Sequence, residues 1–275
     1  MIFEALKALL VGIVEGITEW LPISSTGHMI LLDEFVKLDV SEAFWDLFLV
    51  IIQLGAILAV VLIYWDKIFP FRVRGRWGVD RQKMNMWGKI LVASIPAGVI
   101  GILFDDLFTA WFYNYQTVAI MLILFGVLFI VIENRNRNSV PRVRSIASIT
   151  YPTAFMIGVF QLIAAVFPGT SRSGATIVGA LLLGVSRTVA AEFTFFLAIP
   201  AMFGGSAIKL LKAGFHFSAS EVGLLVLGMV VAFIVSIFAI KFLMSYIKKH
   251  DFKVFGWYRI VLGILVLLYF AISSM

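Results

Sequence analysis

The sequence predicts an all-α polytopic membrane protein: two inverted-topology repeats, six transmembrane helices and two re-entrant helical hairpins. Three observations carry this expectation. Of the 275 residues, 61% are hydrophobic and only 14% charged, against about 45–50% and about 25% in soluble domains. Apolar runs of about 20 residues, the length that crosses a bilayer, recur along the whole chain. Two further apolar regions are each broken in the middle by a polar turn rich in Gly and Pro, so neither reads as a simple crossing.

In chain order, the first repeat (1–133) opens with a hairpin over about 2–36, broken by "PISSTGH" (Pro22 to His28), and continues with spans near 43–64, 87–104 and 114–132. A basic linker, 134–150, leads to the second repeat (151–275). This begins with a hairpin over about 151–183, broken by "PGTSRSGAT" (Pro168 to Thr176), before spans near 189–211, 221–247 and 254–272. Irregular backbone at membrane depth is tolerated only where protein or a water-filled cavity surrounds it. A shift of 146 residues lays Gly12 on Gly158, Glu15 on Gln161, Pro22 on Pro168, Ser25 on Ser171 and Asp46 on Glu192, which reads as an internal duplication. Three is an odd number of crossings, so the second half enters the membrane with opposite orientation, as in transporters built from inverted repeats.

Loop charge sets the orientation. Lys67, Arg72, Arg74, Arg76, Arg81, Lys83 and Lys89 fall in one loop, Arg135, Arg137, Arg142 and Arg144 in the linker, and Lys248, Lys249 and Lys253 in another loop; Asp33, Glu34, Asp39, Glu42, Asp105 and Asp106 fall on the opposite side. The positive-inside rule then makes the linker cytoplasmic and both termini extracytoplasmic. The net charge of +6 is thus a topological signal and implies no nucleic-acid partner. No cysteine is present, which excludes disulfides and thiolate metal sites. No cationic stretch and cleavage site mark a removable signal peptide. Pro96 and Pro200, with Gly98, Gly101, Gly204 and Gly205, read as kinks and close-packing positions, and such Gly-rich faces suit packing within a monomer or across a homodimer equally.

The charge that remains in the apolar regions is concentrated in the two turns. Glu15 and Glu19, four apart, project from one helix face. Two buried carboxylates repel unless a cation or proton lies between them, and hard divalent ions such as Mg²⁺ or Ca²⁺ favour carboxylate oxygens completed by water and phosphate. The bland alternative is a solvated helix end, which the flanking "LLVGIV" and "WLP" disfavour. Ser24, Ser25 and Thr26 precede a helix and suit an N-cap; a helix N-terminus also binds anions. Thr170, Ser171 and Ser173 repeat the device after Pro168-Gly169 and add Arg172, a fork suited to bidentate phosphate contact or, more blandly, a charge snorkelling to the interface. Among the histidines, His28 alone lies in a candidate site, as base, acid, nucleophile or structural donor, whereas His216 and His250 lie in loops. Gln161 is either a donor to the site or a turn residue. Together these groups suit phosphoryl transfer, where positioning and charge neutralisation dominate.

"EGITEWLPISSTGH" (Glu15 to His28) and "PGTSRSGAT" resemble the two motifs of the bacterial undecaprenyl-diphosphate phosphatases, also called bacitracin-resistance proteins, and the resemblance covers the full length. It implies hydrolysis of undecaprenyl diphosphate, a polyprenyl diphosphate lipid, to the monophosphate and inorganic phosphate. The setting would be the bacterial cytoplasmic membrane, with a divalent-metal requirement and a site open to the extracytoplasmic side. It implies Glu15 and Glu19 as metal-linked carboxylates, Ser25 or His28 as nucleophile, and Arg172 with Ser171, Ser173 and Thr176 as the diphosphate-binding loop. Gly169, Thr170, Ser24 and Thr26 complete the expected substrate contacts. The lipid phosphatases of the acid-phosphatase superfamily also combine such elements, but they place a second histidine after the arginine, where Val178 stands here. The alternative function is a polyprenyl-phosphate transporter or flippase.

Overall fold

The computed structural model describes residues 2–72, 78–214 and 217–273. Arg74, Arg76 and His216 lie outside the described residues, as do the side chains of Arg72, Asp105 and Asp106. The fold is all-α, apart from a two-residue ribbon, β1 (Phe71–Arg72) against β2 (Gly78–Val79). Among the described residues, six helices are long and apolar enough to cross a membrane: α3 (Glu42–Ile63), α5 (Arg81–Phe112, apolar through Phe104), α6 (Tyr115–Asn136), α9 (Arg187–Ala213), α10 (Ala219–Tyr246) and α11 (Lys253–Ser273). α4 (Trp65–Ile68) is a single turn. Two pairs of shorter helices flank the polar turns: α1 (Ile2–Thr18) with α2 (Ser25–Phe35), and α7 (Tyr151–Val166) with α8 (Arg172–Leu182).

Side-chain caps set most of these boundaries. Asp80 accepts from the amides of Gln82 and Lys83, so α5 begins at Arg81 and not near residue 87 as the hydropathy pattern predicts. Its helical backbone also runs on past residues 105 and 106, expected in a loop, to Phe112. Ser218 and Glu221 form a capping box at the start of α10.

The halves interlock. α1 packs on α10, α7 on α5, and α6 on α11. At each crossing a glycine lets backbones touch: a Cβ on Gly12 would stand 2.9 Å from the Gly228 carbonyl, one on Gly158 would collide with that of Ala93, and one on Gly126 or Gly256 would stand 2.7 Å from the other's carbonyl. Such contact is the usual basis of helix association in lipid. Gly98, Gly101, Gly204 and Gly205, expected at close-packed positions, instead face open space.

Polar contacts place the loops. Glu133 at the end of α6 pairs with Arg187 at the start of α9 and accepts from the Phe252 amide, while Lys67 reaches Glu192, so the basic loops share one end. At the other end Glu4 accepts from the Asp39 amide and Tyr269 donates to Glu34, which brings the N- and C-terminal helices together there. Glu19, just past α1, bonds to Arg172 and Ser173 at the start of α8, which joins α1/α2 to α7/α8.

Candidate active site

The two turns share one backbone device. Ser24 (φ 74°) and Ser171 (φ 68°) are the two non-glycine residues with positive φ among the described residues. Each caps its helix, with Oγ accepting from Gly27 N at 3.3 Å and from Gly174 N at 3.1 Å. A strained N-cap costs of order 1–3 kcal/mol and persists where surrounding structure enforces it. Equivalent caps pair Ser24 with Ser171 and hence Ser25 with Arg172, one residue off the 146-residue shift. The cause is local: Gly169, at φ 87°, and Thr170 occupy the second turn where Ile23 alone fills the first.

Glu19 receives the residue that follows each cap. Ser25 Oγ donates to Glu19 Oε2 at 2.9 Å and Arg172 Nη2 to Oε1 at 3.0 Å. Ser173 Oγ donates to the Glu19 carbonyl at 3.3 Å. Glu19, Ser25 and Arg172 border a cavity of about 230 Å³. Its polar lining includes Glu19, Ser25, Thr26, Ser171 and Arg172, with Gln53 and Ser206; Pro168, Gly169, Val50, Ala164, Ala201, Met202 and Gly205 complete it. A hydroxyl, the carboxylate that accepts from it and a guanidinium thus meet beside a half-apolar hollow.

Behind this layer stands a second. Thr176 Oγ1 bonds to Thr194 Oγ1 at 2.8 Å and to the Arg172 carbonyl at 2.9 Å, and Arg172 Nη1 donates to the Thr194 carbonyl at 3.2 Å. His28 lies outside the cavity lining. Its Nδ1 is 2.7 Å from the Ser24 carbonyl and its Nε2 2.7 Å from the Tyr258 hydroxyl, with the two rings stacked. A carbonyl only accepts, so Nδ1 carries the hydrogen and, in the neutral ring, Nε2 accepts from Tyr258. Both nitrogens are thereby used away from the cavity.

Glu15 and Gln161 are also buried outside the lining, and each has an Oε1 without a hydrogen-bond partner. Thr170 Oγ1 is buried and unpartnered too, whereas the Thr170 carbonyl accepts from Arg259. Among the described residues no group of three or more His, Asp or Glu converges as a metal cage. Glu15 and Glu19 are the carboxylates available to a cation, with Glu15 Oε1 uncommitted.

Thr194, Tyr258, Gln53 and Arg259 were not singled out as site residues in the sequence. Arg259 left the clearest signal: a lone cation inside the apolar stretch 254–272.

The sequence model of the family described as Bacitracin resistance protein BacA matches residues 8–265. The chain is 70% identical to the protein of Desulfitobacterium hafniense named undecaprenyl-diphosphatase, an alignment covering 98% of this chain and 96% of that one. It is 66% identical to undecaprenyl-diphosphatase 1 of Clostridium acetobutylicum (98% of both chains) and 52% identical to the undecaprenyl-diphosphatase of Streptococcus mutans (98% of this chain and 97% of that one).

Proposed function

The chain belongs to the bacitracin resistance protein family, and on that premise we propose that it hydrolyses undecaprenyl diphosphate to undecaprenyl phosphate and inorganic phosphate, with Ser25 as nucleophile and Glu19 as its base. The observation that carries the assignment is the pair of bonds on Glu19, one to the Ser25 hydroxyl and one to Arg172, at the edge of the cavity. Ser25 Oγ attacks the terminal phosphorus and loses its proton to Glu19 Oε2; the bridging P–O bond breaks, and undecaprenyl phosphate leaves with the electron pair. Water then forms a bond to phosphorus as Oγ–P breaks. The proton on Glu19 returns to Oγ, and both protons of the water leave on inorganic phosphate.

Arg172 takes part through its partner as well as directly. While paired, it holds Glu19 beside the Ser25 hydroxyl, and its fork can turn from the carboxylate to a phosphate oxygen. The free amides at the starts of α2 and α8 add donors to the phosphate oxygens. His28, tied to the Ser24 carbonyl, is a positioning residue for the first turn. A divalent cation such as Mg²⁺ or Ca²⁺ would be held by Glu15 and Glu19, with phosphate oxygens and water completing its shell. It would supply charge neutralisation.

The basic loops would face the cytoplasm, with the termini and the site toward the outside of the bacterial inner membrane. A duplicated and inverted origin of the two halves, with both hairpins re-entrant, would bring their tips together from opposite ends. A homodimer would draw on the Gly98 and Gly101 face, where none of the described residues lies within 4 Å of an added Cβ.

Phosphate release from undecaprenyl diphosphate by the purified protein, with and without chelator and beside Glu19→Gln and Arg172→Ala, tests the activity. Release that both variants lose while folded is expected. No release from folded wild-type protein supplied with metal would sink the reading. Acid quenching during turnover tests the nucleophile: an acid-stable phosphoserine at residue 25 is expected, and an acid-labile phosphohistidine would reassign the attack to His28.

A further inference from the structure

Arg259 lies within the apolar α11, is wholly buried, and pairs with no carboxylate among the described residues. A charge in such surroundings is costly unless the fold answers it. Backbone oxygen answers it here. Nη2 donates to the carbonyls of Thr170 at 2.7 Å and Gly169 at 2.9 Å, and Nη1 to that of Pro22 at 3.3 Å. Nε and Nη2 also reach the α6 carbonyls of Leu122 and Met121, both at 3.4 Å. One side chain from the last helix therefore touches both catalytic turns.

Two consequences follow from elementary geometry. In a trans peptide the C=O and the following N–H point in opposite directions. Drawing the Thr170 carbonyl onto Arg259 turns the Ser171 N–H away from it; that amide has no protein acceptor among the described residues, and Ser171 lines the cavity. Carbonyl dipoles, moreover, solvate a cation without neutralising it. Arg172 is matched by Glu19, but the charge of Arg259 stands unmatched one residue behind the cavity wall at Gly169.

We propose that Arg259 is a positioning residue of the anion site: it clasps the carbonyls of both turns, aims the Ser171 amide of the second turn at the cavity, and takes the bound diphosphate as its counter-charge. A fastener alone would need no charge, since α11 is already joined to α6 through Gly126, Gly256 and Gly263. The identity of the anion rests on the phosphatase reading; the clasp itself does not.

The test measures pyrophosphate binding by calorimetry on the full-length protein in detergent, beside turnover of the lipid substrate, for Arg259→Met, Arg259→Lys, Gly174→Ala and Gly27→Ala. Arg259→Met, if folded, is expected to weaken pyrophosphate binding at least about tenfold and lower kcat/KM by about a hundredfold, with Arg259→Lys recovering part of both. A merely structural arginine would lower the melting temperature and leave the affinity of the folded molecules alone. Gly174 and Gly27 hold the same cap position, but a Cβ on Gly174 would stand 2.8 Å from Arg259 Nη1, whereas one on Gly27 meets the flexible Leu122 side chain at 2.9 Å. Gly174→Ala should therefore weaken pyrophosphate binding several-fold more than Gly27→Ala.

Folded Arg259→Met with wild-type pyrophosphate affinity would overturn the proposal. If that variant does not fold, equal affinities in the two alanine variants would overturn it instead. Wild-type protein that binds pyrophosphate through Arg259 yet releases no phosphate from lipid would fail the phosphatase reading alone.

Discussion

The two turns use one backbone device and do different work with it. In α8 every residue from Ser173 to Leu181 is buried, whereas in α2 only Gly27 and Met29 are. The second turn is set into the core: Thr176 is bonded to Thr194 of α9, and the Gly169 and Thr170 carbonyls to Arg259 of α11. The first carries its hydroxyl on a helix largely bordered by its surroundings. Where one cap is followed by Ser25 the other is followed by Arg172, and both reach the same carboxylate. Similar scaffolds thus place a hydroxyl on one side and a guanidinium on the other, and the more deeply embedded turn is the one that bears the guanidinium.

This division is open to attack by substitution. The largest effect is expected from Ser25→Ala, which should lower kcat by about 10³-fold while moving KM only a few-fold; a large rise in KM with kcat retained would break the comparison. Arg172→Lys keeps the charge and loses the fork, and should lower kcat/KM by about 10²-fold with KM raised. Steady-state phosphate release measures both. Thr176→Val should leave Thr194 without its hydroxyl partner and cost about 1–3 kcal/mol in thermal unfolding. The smallest effect sharpens the likeness between the turns. At Ser24 and at Ser171 alike, glycine should be better tolerated than alanine by about 1 kcal/mol, because glycine accepts the positive φ and substitutes for a cap at little cost. A difference between the two sites would mean that burial outweighs the shared backbone.

Both turns were legible in the sequence because they concentrate polarity where hydrocarbon forbids it. Ser25, Glu19, Arg172, Ser171 and Thr26 all reach the cavity, and Gly169 forms part of its wall. What escaped was what residue type does not encode. Turn length decided that Ser25 corresponds to Arg172, since it depends on the positive φ at Gly169. The start of α5 escaped because Arg81 to Lys89 carries charge and reads as loop, while the Asp80 cap makes it helix. Gly98 and Gly204 resemble Gly12 and Gly158 in composition and differ only in whether another backbone lies opposite. Arg259 stood visible as a charge in a span, but its worth comes from five carbonyls supplied by α6 and both turns, a convergence no single segment contains.

The interlocking of the halves has a temporal side. A ribosome delivers α1 long before α10, its packing partner, which begins at Ala219. At about 5–20 residues per second the delay is roughly ten to forty seconds. Through that interval the first hairpin must wait in the membrane with Glu15 and Glu19 aboard and no second half to receive them. Arg259 emerges later still, so a nascent chain halted before its final helix would hold both motifs and lack the clasp on their carbonyls.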